Sequence, residues 1–100
     1  MYRFTRAATV RQPSSIYAAL QFASEVTAHI NKQYALGLRF GIEMFSEPVI
    51  PWHFESDSAD KIYELFGKLG QDQDYAALMD KHKDTWLEGS LKDRLVALMG

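Results

Sequence analysis

ALGLRFGIEMFSEPVIPWHFES, residues 35–56, decides how the chain is organised. Its first part alternates, with Leu38, Phe40, Ile42 and Met44 on one face of a strand and Arg39, Gly41, Glu43 and Phe45 on the other. Such period-two patterning marks an antiparallel strand with one face on a core. Ser46-Glu47-Pro48 then reads as a turn, because proline presets its own φ and donates nothing to a ladder. The second run, Val49 to Glu55, places Ile50, Trp52 and Phe54 on one face and His53 and Glu55 on the other. The two runs form one hairpin. Its apolar side takes helices, and its polar side carries Arg39, Glu43, His53 and Glu55.

Upstream, Tyr2 to Val10 reads as a strand with Tyr2, Phe4, Ala8 and Val10 on one face. Arg6 falls on that same face, so either it snorkels from the core edge or a bulge shifts the register. Pro13-Ser14-Ser15 opens a helix with Ser14 as N-cap, and helical spacing runs to Tyr34 through Ile16, Leu20, Ala23, Val26 and Ile30. Downstream, Asp57 is the expected N-cap of a second helix with Ile62, Leu65, Phe66 and Leu69 as its apolar stripe. Gly70 suits a left-handed helix end. Gln71-Asp72-Gln73 starts a third helix, with Tyr75, Leu78, Met79, His82 and Trp86 along one side, and Gly89-Ser90 breaks it. Leu91 to Met99 fits both periods passably and is read as a final strand.

The order β-α-β-β-α-α-β, over residues 1–100 taken as one domain, predicts an α+β, ferredoxin-like antiparallel four-stranded sheet with helices on one face. The first and third strands are then central, which makes Pro51 a difficulty: a proline inside a central strand loses a ladder bond. One sheet face is left open. Trp, Tyr and Phe make up 13% of the chain, more than two thin layers require, so some of them are expected to cover that face. A twofold homodimer packing open face to open face would satisfy both the face and the edges, and would enclose a cavity.

Composition narrows the function classes. A net charge of -2 and a pI near 5.8 give no basic footprint for nucleic acid. No run approaches the roughly 18 apolar residues of a membrane span. The arginine-bearing N-terminus, MYRFTRAATVRQP, lacks the apolar centre of a signal peptide. With no cysteine, thiolate metal sites and cysteine nucleophiles are excluded. The expected location is the cytoplasm.

The chain resembles the dimeric α+β barrel superfamily, which holds small antibiotic-biosynthesis monooxygenases, muconolactone isomerases and NIPSNAP-like proteins. The likeness is carried from Val49 onward by the WHF strand, ESDSAD opening a helix, QDQDYAALMDKHKD, and the EGSLKDRLV ending. It is similar to the C-terminal half of NIPSNAP-like domains, where a strand leads into a split helix and a final strand. The resemblance implies a fold and a homodimer. It brings no catalytic constellation across.

Two function classes follow. In one, a small hydrophobic or aromatic molecule binds in a cavity between helix and sheet or between sheets. By resemblance, that molecule would be turned over by a cofactor-independent oxygenase or isomerase acting on an aromatic or polyketide-like substrate. There His53 would move a proton, Arg39, Glu43 and Glu55 would hold polar groups, and Trp52 would wall the pocket if its register put it there. In the other, the same residues hold a non-catalytic dimer together, as cross-strand or intersubunit pairs. No cofactor or metal is expected, since His29 and His82 lie on different helices with no third ligand at metal spacing.

Overall fold

The computed structural model describes residues 1–45 and 47–100; Ser46, part of the expected turn, lies outside them. Strands β1 (Tyr2–Thr9), β2 (Arg39–Phe40), β3 (Val49–Ser56) and β4 (Lys92–Ala97) form one sheet in the order β2-β3-β1-β4. All pairings are antiparallel, and β1 and β3 are central. Helices α1 (Ile16–Tyr34), α2 (Ala59–Leu69) and α3 (Gln73–Lys81) complete the ferredoxin-like arrangement. Short 3-10 turns at Pro13–Ser15 and Lys83–Thr85 precede α1 and follow α3. The strand reading of the C-terminal segment therefore holds.

Alternation in β3 is clean: Ile50, Trp52 and Phe54 are buried, while His53 is half-buried and Glu55 exposed. Phe4 and Ala8 of β1 join them, and α1 contributes Ala19, Phe22, Ala23, Val26 and Ile30. Ile62, Leu65 and Leu69 close the core from α2. Ala19 and Ala23 are fully buried, and such small residues let a helix approach a sheet closely.

Pro51 explains why β2 is only two residues long. Gly41 N–H donates to the Pro51 carbonyl at 3.1 Å, so that carbonyl faces β2. In a strand a residue's nitrogen faces the same neighbour as its carbonyl, and here that nitrogen has no hydrogen to give. The β2–β3 ladder stops there and touches again only at the bridge Glu43↔Val49. The β1–β3 ladder, on the other side of Pro51, runs unbroken from Tyr2↔Ser56 to Thr9↔Val49. Met44, expected on the core face, is exposed beyond that bridge.

Three local expectations are corrected. The residue preceding α1 is Ser15, after a 3-10 turn, and neither it nor Ser14 caps with its side chain. Ser58 rather than Asp57 caps α2, accepting from the Lys61 N–H, while Asp57 pairs with Lys61 Nζ at 3.0 Å. Gly70 has right-handed geometry (φ -63°), because the chain turns directly into the cap of α3 instead of reversing. Left-handed geometry is instead found where α1 ends, at Ala35.

Candidate functional site

The strands offer two surfaces, and they differ in character. Facing away from the helices, Arg39, His53, Thr5 and Arg94 stand in one row across all four strands. Arg3 and Glu55 form the next row and pair at 2.8 Å. The centre of this face holds small or apolar residues, Ala7, Pro51, Val49, Thr5 and Thr9, all half-buried. Among its charges, Arg39, Glu43, Lys92 and Arg94 are exposed and lie on or beside the outer strands, while the paired Arg3 and Glu55 stand near the ends of the two central strands. Among the described residues Arg39, Glu43 and His53 make no hydrogen bond or ion pair through their side chains. Most of the aromatic cover expected on this face lies elsewhere, and Phe45, expected here, is fully exposed. Phe4, Phe22, Trp52, Phe54, Phe66 and Trp86 all pack on the helix side instead. Trp52 therefore stands on the opposite face from Arg39, Glu43, His53 and Glu55.

The helix side contains a cavity of about 200 Å³. Its floor is β1 and β3, its walls come from α1 and α2, and α3 with the loop Leu87–Leu91 forms its roof and mouth. Both tryptophans line it, Trp52 and Trp86 lying 5.7 Å apart between ring centres, with Phe22 edge-on to each. Trp52 Nε1 is buried and has no hydrogen-bond partner among the described residues. Leu87, Leu91 and Met79 at the mouth are exposed.

The wall is apolar except where Arg6 enters it. Arg6 sits on the core face opposite Trp52 in an unbroken ladder, so no bulge is needed to accommodate it. Its guanidinium bonds Asp93 of β4 through Nε at 2.7 Å and Nη2 at 2.9 Å, and Nη1 donates to Tyr75 Oη of α3 at 3.3 Å. It also lies 5.3 Å from the centre of the Phe66 ring. The Asp93 bond raises its pKa against the opposing pull of burial.

What holds α3 over the cavity is a second polar cluster. None of the residues of α3 is itself buried, so packing alone secures it weakly. Asp72, its N-cap, accepts from Tyr75 N–H at 3.0 Å and from Tyr34 Oη at 2.8 Å, and lies 2.8 Å from His29 Nε2. His29 and Tyr34 belong to α1, so one carboxylate ties the two helices together. The Tyr75 N–H first, then His29, hold that carboxyl at about 2, below its ordinary 3.8. A folded-state pKa below the unfolded one means the contribution is complete above pH 4 and is lost as pH falls from about 4 to 2. Asp72→Asn is expected to lower Tm by roughly 5–10 °C at pH 7 and by little at pH 2. Thermal melts of both proteins across pH 2 to 7 check this; parallel curves would mean that the carboxylate does not act through its charge.

His82, read as a core-edge histidine, is buried against Phe22 at 5.4 Å and 3.5 Å from Glu25, without hydrogen-bond geometry to it. Among the described residues no three metal-ligating side chains converge. No helix is long and apolar enough to cross a membrane.

Solved structures share this architecture along nearly the full chain. A NIPSNAP family protein from Agrobacterium tumefaciens superposes with a TM-score of 0.79 at 17% identity, covering 98% of this chain and 92% of its own. An uncharacterised NIPSNAP domain protein from Burkholderia xenovorans gives 0.75 at 14% identity, covering 99% and 95%. The fold is that of the NIPSNAP proteins. A dimeric ferredoxin-like protein from an uncultured marine organism also matches, with a TM-score of 0.70 at 13% identity over 100% of this chain and 97% of its own. No protein-family model and no curated protein matches the sequence. The course of the backbone thus carries, over nearly the full chain, the NIPSNAP-like fold that the motifs from Val49 onward resemble.

Proposed function

We propose that the protein binds a small, largely apolar organic molecule in the cavity between its sheet and helices, and does so as a homodimer. The observation that carries the first part is the cavity of about 200 Å³, walled by aromatic and aliphatic side chains. An apolar cavity of about 150 Å³ already takes up benzene, so a molecule of one or two rings is the scale that fits. Because both tryptophans line the space, binding has a direct reporter. On titration with naphthalene the two indole N–H signals in a proton–nitrogen NMR spectrum should shift saturably, while the amides of Thr5 and His53 stay in place. Unmoved indole signals at naphthalene saturation would end the ligand reading.

The homodimer rests on the outer sheet face. Small, half-buried residues at its centre with charges around them have the core-and-rim composition of an interface. Two such faces packed together would enclose Arg39, His53, Glu43 and Glu55. A catalytic role for those residues would then be exercised between the sheets, apart from the helix-side cavity that Trp52 lines. A neighbour in fold, the ferredoxin-like protein from an uncultured marine organism, is described as dimeric, which supports a homodimer without placing its interface.

A further inference from the structure

We infer that Asp93 sets the ligand chemistry of the helix-side cavity, making it a site for neutral carbonyl compounds, such as aryl ketones or quinones, and not for carboxylates. This rests on the ligand cavity proposed above.

An arginine in an apolar cavity wall would ordinarily recruit an anion. Here the anion is already supplied by the chain: Asp93 meets Arg6 fork to fork, at 2.7 and 2.9 Å. Arg6 is the more enclosed partner and Asp93 is exposed on β4 outside the cavity lining, so the cavity meets a guanidinium whose charge is already paired. A carboxylate ligand would be desolvated without gaining a free positive charge, an unfavourable exchange.

The polar capacity that remains is for donation. Tyr75 Oη accepts from Arg6 Nη1, and among the described residues its own proton has no acceptor. One N–H on each Nη of Arg6 is also unengaged. Arg6 and Tyr75 both line the cavity, while Asp93 does not. The wall thus presents donors, without net charge, beside a large apolar surface. A carbonyl oxygen on an aromatic ring system complements it.

Three probes of one shape separate the possibilities: naphthalene, 2-acetonaphthone and 2-naphthoate, with dissociation constants read from the indole N–H shifts. The ketone should bind the unaltered protein about tenfold more tightly than naphthalene, one hydrogen bond's worth, and naphthoate should bind more weakly than the ketone. Tyr75→Phe should remove most of the ketone's advantage and leave naphthalene unchanged. Asp93→Asn should raise the affinity for naphthoate about tenfold by freeing the Arg6 charge, a gain that Arg6→Met in the same chain abolishes. Naphthoate binding the unaltered protein more tightly than the ketone would overturn the inference. So would equal affinities for naphthalene and the ketone, which leave the cavity reading standing. If none of the three binds, the cavity reading falls and this inference with it. The comparison on the unaltered protein can overturn the inference even if a variant fails to fold.

Discussion

Ile50→Ala should cost the protein about 3 kcal/mol, within the range of roughly 2–5 for large-to-alanine changes in a core. Ile50 is the largest side chain that is fully buried, and it lies on the core face of the central strand β3, opposite Ala8. Its strand neighbour cannot fill the space left behind, and Ala19 and Ala23 in the same cluster are just as small. A domain of this size holds only about 5–15 kcal/mol in all, so the melting temperature should drop by roughly 12–24 °C. Chemical denaturation of the variant checks the figure, with Met44→Ala, an exposed position, as a control expected within about 0.5 kcal/mol of the parent. A loss below about 1 kcal/mol would show that the core relaxes around the gap.

Thr5→Lys should break the proposed dimer while leaving the protomer folded. Thr5 stands mid-row between His53 and Arg94 on the outer face of β1, with Arg39 at the far end of the row. A lysine there adds a like charge at the centre of the sheet-to-sheet contact, where the desolvated ammonium finds no carboxylate in its own row. Weakening of association by at least about a hundredfold is expected. Sedimentation at micromolar concentration should show the parent as a dimer and the variant as a monomer, with unchanged circular dichroism. A variant that remains dimeric would move the interface elsewhere, and a monomeric parent would remove the dimer altogether.

Most of the fold was legible because strand alternation and helical spacing agree along the chain. Leu38, Phe40, Ile50, Trp52 and Phe54 sit on the side their spacing dictates, and Arg39 and His53 face each other on the other side. What escaped was tertiary. Nothing local distinguishes Asp57 from Ser58 as the cap of α2; the choice depends on how the chain leaves β3. Composition alone assigns the aromatic surplus to the open face, but α3 and the Leu87–Leu91 loop create a second apolar surface that takes up most of it. The polar spot of the cavity did leave a trace. Arg6 falls on an otherwise apolar face, which the spacing leaves open between a snorkelling arginine and a bulge, and antiparallel pairing of the first and last strands brings Asp93 opposite it. Tyr75 and Asp72 gave no such sign, since each acts through an element remote in sequence.

Pro51 has an effect beyond the strand it interrupts. Because the β2 margin is two residues long, it gives another chain almost nothing to zip onto, while the β4 margin offers six. A sheet extends indefinitely only if every added copy exposes a fresh sticky border, and here each copy has one such border and one blunt one. Two copies joined along β4 would use up both, so lateral growth of the sheet would halt at a pair.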